Sequence, residues 1–118
     1  MKIFKFLIIL VFLAMLLPAS GATNDIYVQN GFVDGNDFLS FSSDGKEKYA
    51  IGFIDGLLIA PLLGAPKRRL NWLEQCAVGM NSKQIVAILE KYLTENPAKW
   101  HQSMHGLSLS AMKASCNQ

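Results

Sequence analysis

The first 22 residues decide what the rest of the chain can become. Lys2 and Lys5 make a positive start, Ile3 to Leu17 is apolar apart from Lys5, and Pro18-Ala19-Ser20-Gly21-Ala22 forms a small-residue exit. That three-part layout is the pattern of a secretory signal. The uninterrupted apolar run, Phe6 to Leu17, is 12 residues long, whereas a membrane span needs about 20. Cleavage at residues 20 to 22 is therefore expected in preference to retention as an anchor. No Cys follows the exit, which argues against a lipid-anchored form. The expected organisation is a cleaved signal, residues 1–22, and a single mature domain, residues 23–118.

Subtraction of the signal changes the composition. The whole chain carries 11 Lys+Arg against 9 Asp+Glu and is 51% hydrophobic. Without Lys2 and Lys5 the mature domain balances nine bases against nine acids, and its hydrophobic share falls to roughly 45%, an ordinary globular value. A neutral domain lacks the electrostatic footprint of a nucleic-acid binder, so no nucleic-acid partner is expected.

Export also changes the meaning of Cys76 and Cys116. An even number of cysteines in a short exported chain points to a disulfide, and here one pairing is possible. The alternative is a pair of buried free thiols. Two cysteines cannot supply a four-ligand zinc site alone, and the spacing is not that of a redox Cys-x-x-Cys motif. A bridge closing a loop of about 40 residues is worth roughly 4 kcal/mol in chain-entropy terms.

Hydrophobic spacing predicts an all-α fold, a small bundle of four to five helices. Thr23 to Gly35 has no helical period and reads as an extended arm that orders on packing. Asn36 is expected to cap a short helix, Asp37 to Ser42, with Phe38, Leu39 and Phe41 on its apolar side and Ser42-Ser43-Asp44-Gly45 breaking it. Tyr49, Phe53 and Leu57 with Ile51, Ile54 and Leu58 recur at helical spacing, predicting a central core helix from Lys46 to about Ala60. Gly52 and Gly56 lie within it, and each costs about 1 kcal/mol relative to Ala. Close helix approach, within the monomer or across a dimer, is the expected reason for them; the alternative is that they are simply tolerated. Asp55 between them reads as solvated, bonded to backbone or paired with Arg.

Pro61-Leu62-Leu63-Gly64-Ala65-Pro66 then forms a loop, followed by Lys67-Arg68-Arg69. An apolar loop beside a basic triplet admits two readings. Leu62, Leu63, Lys67, Arg68 and Arg69 form a partner-binding protrusion, or the leucines tuck into the core and the triplet is a solvated start to the next element. Leu70, Trp72 and Leu73 lead through a short helical turn to Cys76. Asn81 or Ser82 caps a clear helix, with Gln84 in capping-box position and Ile85, Val86, Ile88, Leu89, Tyr92 and Leu93 at helical spacing. Asn96-Pro97 is expected to restart a final helix running to Cys116. On that helix His101 and His105 stand four apart, but Gln102-Ser103-Met104 between them lacks the Glu of the zinc-protease motif and no third ligand is near. No metal or cofactor is expected. With no nucleophile elbow, phosphate loop or paired-carboxylate motif, the domain reads as a binding protein and not an enzyme.

Several short motifs carry a resemblance. Gly35-Asn36-Asp37-Phe38-Leu39, Gly52-Phe53-Ile54-Asp55-Gly56, Cys76, Gln84-Ile85-Val86, Lys91-Tyr92-Leu93, Asn96-Pro97, His101 and the closing Ala111-x-x-x-x-Cys116 follow in an order and spacing that resembles the Rap/Tai family. These are periplasmic immunity proteins that neutralise peptidoglycan amidases delivered by type VI secretion. Members often carry a second cysteine pair, near Phe41-Ser42 and before the Gly-x-x-x-Gly helix, and it is missing here. The resemblance implies a periplasmic all-α amidase inhibitor without chemistry of its own, which binds the effector, occludes its cleft and often forms a homodimer, with no membrane association after signal cleavage. A second class, periplasmic acid-stress chaperones of the HdeA type, is also small, exported, helical and built on one disulfide. Asn36 to Leu58 resembles it too, although those chaperones place a Cys immediately before the first short helix. An inhibitor of another cell-wall hydrolase would share the same occlusion physics.

Overall fold

A computed structural model describes residues 30–116; the signal segment, residues 1–22, and most of the arm that follows it lie outside the described residues. Five α-helices form the fold, and no strand longer than a single bridge occurs among the described residues: α1, Gly35–Ser40; α2, Ser43–Leu58; α3, Asn71–Ala77; α4, Ser82–Glu95; and α5, Met104–Cys116. Short 3-10 turns at Ala60–Leu63, Lys67–Arg69 and Pro97–Lys99 connect them. No described helix is long and apolar enough to cross a membrane. The Cys76–Cys116 disulfide is formed, with the two Cα atoms 5.7 Å apart, and joins α3 to the last turn of α5.

The centre of the bundle is α4, and not the Lys46–Ala60 helix as its apolar spacing suggests. Ile85, Val86, Leu89 and Leu93 on α4 are buried, while α2 contributes only Ala50 to the fully buried core. Helix α4 packs against α2 on one side and α5 on the other. Met104, Leu107, Ala111 and Met112 of α5, Phe38 of α1 and Leu73 of α3 complete the core. The start of α4 is as expected: Gln84 N–H donates to Asn81 Oδ1 at 3.0 Å, and Gln84 Oε1 accepts from Asn81 N–H at 2.8 Å. One partly buried ion pair crosses the bundle, Lys46 Nζ to Glu90 Oε1 at 2.7 Å, and the same ammonium lies 5.9 Å from the Phe38 ring centroid.

Other boundaries shift for local reasons. The first helix is capped by Asp34, two residues before Asn36: Asp37 N–H donates to Asp34 Oδ1 at 2.9 Å, and Asp34 N–H donates to Asp37 Oδ2 at 3.1 Å. The Asn36 N–H is drawn instead to the Trp100 carbonyl at 3.1 Å. The first helix ends at Ser40 and not Ser42, and Ser43 to Gly45 are no break but the first turn of α2, which Ser42 caps, its Oγ accepting from Gly45 N–H at 3.1 Å. The final helix does not run unbroken from Asn96. It starts at Met104, because the arm competes for the backbone before it. Met104 N–H donates to Val33 O at 2.8 Å, Gly35 N–H donates to Gln102 O at 3.2 Å, and Asp34 and Ser103 form an antiparallel bridge. Gly35 is needed at this crossing, since a Cβ there would lie 2.9 Å from both Cα and O of Trp100, which are backbone atoms that cannot step aside.

One core hydroxyl is out of place. Ser108 Oγ is fully buried and completes no hydrogen bond. Beside it, burial pushes the Tyr49 pKa up. An unsatisfied buried hydroxyl costs about 1–3 kcal/mol. Ser108→Ala is accordingly expected to raise the unfolding free energy by about 1 kcal/mol in urea titrations, whereas Leu89→Ala at the bundle centre should lower it by about 3 kcal/mol.

Candidate interaction surface

The helix that leaves the core opens onto the candidate site. Helix α2 turns Tyr49, Phe53, Ile54 and Leu57 toward the core, each partly buried, and Ala50 fully. Its apolar residues exceed what one face can bury. Ile51, Leu58 and the following Ile59 are left about half exposed, at 51%, 45% and 49%. Asp55 shares this exposed side, with no ion pair to any described residue.

Beyond Ile59 the chain makes a hydrogen-bonded, exposed turn. Pro61 lies near the start of the 3-10 turn, Leu62 N–H donates to Ile59 O at 2.9 Å, and Ala65 N–H donates to Ala60 O at 3.1 Å. Gly64 closes it at φ 98°, a left-handed conformation that disfavours other residues. This geometry leaves Leu62 83% and Leu63 82% exposed. The core-tucked alternative for the two leucines is thereby excluded.

The basic triplet is held just as firmly by backbone contacts. Arg69 N–H donates to Pro66 O at 2.9 Å, Leu70 N–H donates to Lys67 O at 2.9 Å, and the indole of Trp72 donates to Arg69 O at 2.7 Å. The side chains of Lys67, Arg68 and Arg69 are exposed, and none forms an ion pair with a described acid; the pairs present are Lys46–Glu90, Lys48–Asp44 and Lys91–Glu95. From Gly56 to Leu73 the sequence contains no Asp or Glu. The protrusion is therefore a local positive island on a chain that is neutral after residue 22.

Among the described residues, no helix closely approaches Gly52 or Gly56. A Cβ on either would meet nothing within 4 Å, and both are exposed. Beside them, Ala50, Ile51, Ile54, Ala77, Met80 and Ile85 line much of a shallow groove of about 150 Å³ between α2 and the start of α4. Sequence reasoning missed Leu58, Ile59 and this groove as part of the exposed apolar surface. The signal was the run Leu57-Leu58-Ile59, which is too long for a helix to bury along one face.

At the other end, His101 and His105 are not successive turns of one helix. His101 sits in the turn before α5 and lines a polar depression with Asp34, Asp37 and Ser103, while His105 is on the first turn of α5; both are exposed. No group of three His, Cys, Asp or Glu placed to hold a metal occurs among the described residues. Compared with models of protein families, with curated proteins and with solved structures, the chain shows no match.

Leu62 and Leu63 already face water, so they contribute little to folding. The double substitution Leu62→Ser with Leu63→Ser is expected to shift the unfolding free energy by less than about 0.5 kcal/mol, measured by urea denaturation. A larger loss would mean that the leucines are packed in solution.

Proposed function

We propose that the mature chain is a periplasmic immunity protein that binds a peptidoglycan amidase delivered by type VI secretion and blocks its cleft without chemistry of its own. The observation that carries this reading is the protrusion, with two leucines more than four-fifths exposed on a hydrogen-bonded turn, followed by three cations that pair with no described acid. Leaving them in water forgoes about 1.5–3 kcal/mol for each leucine, a cost that is offset when a partner covers them. The resemblance of the flanking motifs to amidase immunity proteins supplies the partner class.

In this reading Leu62 and Leu63 enter the apolar floor of the cleft, and Lys67, Arg68 and Arg69 pair with carboxylates on its rim. A hydrogen-bonded 3-10 turn suits that task, because little conformational freedom is lost on binding. Substrate is excluded by volume. The exposed side of α2, with Gly52 and Gly56 open and Ile51 and Ile59 beside them, is the proposed contact between two copies in a homodimer.

The test is to mix the purified mature chain with a small Cys-His amidase encoded beside its gene. The expected result is a complex tighter than micromolar, loss of peptidoglycan cleavage and protection of cells from lysis. Arg68→Glu or Arg69→Glu should weaken binding by about tenfold or more, consistent with a charge reversal at a contact. No complex and no protection would overturn the immunity reading. Loss of structure at pH 2 to 3 with gain of anti-aggregation activity would favour an acid-stress chaperone.

A further inference from the structure

We propose that the Cys76–Cys116 bridge controls the Leu62–Arg69 surface: closed, it fixes the surface on the bundle; reduced, it lets the segment from Ile59 to Met80 detach while the other four helices stay folded. The inference rests on the reading of that surface as a docking site, and concerns its regulation.

The distribution of buried groups separates this segment from the rest. Of the eleven buried apolar residues, ten lie on α1, α2, α4 and α5, and Leu73 alone comes from the segment. Trp72, Ala77 and Met80 add partly buried contacts. Polar ties are fewer still. Among the described residues, no hydrogen bond or ion pair joins residues 61–80 to any other part of the chain; the bonds of the two 3-10 turns, of α3 and of Trp72 all stay within the segment or return to Ile59 and Ala60.

Helix α3 cannot hold itself. It has seven residues and no side-chain cap, whereas isolated helices shorter than about 12–15 residues are marginal in water. Its place on the bundle is set by Leu73 and by the covalent link from Cys76 to the last residue of α5. The basic triplet ends one residue before α3 begins, and Arg69 O is held by Trp72 of α3. Release of α3 therefore releases the protrusion's own support.

Both cysteines are partly exposed, so a dithiol can reach them. Exchange breaks the Sγ–Sγ bond to leave two Cys thiols, while the dithiol gives up two electrons and two protons and closes to its own disulfide. A chain in a reducing compartment would then present a disordered segment in place of the docking surface, and oxidation after export would assemble it. The remaining core keeps its large buried groups: Phe38, Leu89, Leu93, Met104 and Met112.

The experiment is amide hydrogen exchange on the chain from residue 23 to 118, oxidised and then treated with dithiothreitol. Amides of α3 and of residues 62–70 are expected to lose at least about tenfold in protection, with those of Ile85 to Leu93 in α4 retaining theirs. Unchanged protection across residues 61–80 would overturn the proposal, and so would loss of protection in all helices together. The double variant Cys76→Ala with Cys116→Ala should reproduce the segmental loss without reductant; a uniformly protected or wholly unfolded variant counts against it. Because this readout needs no partner, a chain that binds no amidase yet opens only this segment sinks the immunity reading and leaves the redox control standing.

Discussion

Exclusion of water from one stripe, Ile85, Val86, Leu89 and Leu93 of α4, places every other element of the bundle. Burial of a large aliphatic side chain contributes about 1.5–3 kcal/mol, and α4 is the helix that presents such groups to neighbours on two sides, α2 and α5. Its opposite face is polar, with Lys83, Gln84, Lys91, Thr94 and Glu95 exposed. Since α4 occupies the centre, α2 lies beside it and needs only one apolar face. The remaining apolar residues of α2 and its C-cap, Ile51, Leu58 and Ile59, are left about half exposed. The candidate surface is thus a consequence of how the core is filled.

The elements legible in sequence are those whose determinants are local. Helix α4 announces itself through a capping box, Asn81 with Gln84, and an apolar stripe; both survive in the structure because nothing distant competes for those groups. The disulfide was expected from the cysteine count and from the signal-like start of the sequence, and Cys76 and Cys116 are bonded. The errors arise where distant backbone intervenes. Asn36 looked like a cap, but its N–H goes to Trp100 O, across 64 residues of sequence, and Asp34 takes over the capping. Asn96-Pro97 does start a turn, yet α5 begins only at Met104, because Val33 and Gly35 bond to the backbone at 102–104. Spacing along one segment carries no information about such crossings.

The site was half legible for a different physical reason. Its residues were visible: a Pro-bounded pair of leucines and a basic triplet. Their orientation was not, because a four-residue 3-10 turn has no periodicity from which to infer a buried face. Gly64, in a left-handed conformation, ends the turn directly after Leu63, and both leucines are exposed. Gly52 and Gly56 show the converse limit. Their four-residue spacing suggested a close neighbour, but the same spacing fits an outer face that no other described helix reaches.

The motifs behind the family resemblance fall on the scaffold. Gly35 makes room for Trp100, Phe38 fills the core beside Tyr49, and Ile85 and Val86 belong to the α4 stripe. The Asn96 side-chain amide donates to Tyr92 O at 2.8 Å, and Cys116 closes the bridge to Cys76. Between the first and last of these motifs, the longest stretch that carries none of the resemblance runs from Leu57 to Gln75, and it contains the whole protrusion. A scaffold that many related chains can share needs the same close approaches and buried groups in each, whereas a loop that meets one particular partner is free of those constraints. Leu62, Leu63 and the Lys67–Arg69 triplet are where this chain departs most from a generic helical bundle, in chemistry as in exposure. In the proposed immunity reading, partner choice would accordingly reside in this segment, and chains with the same bundle but different residues there would bind different clefts.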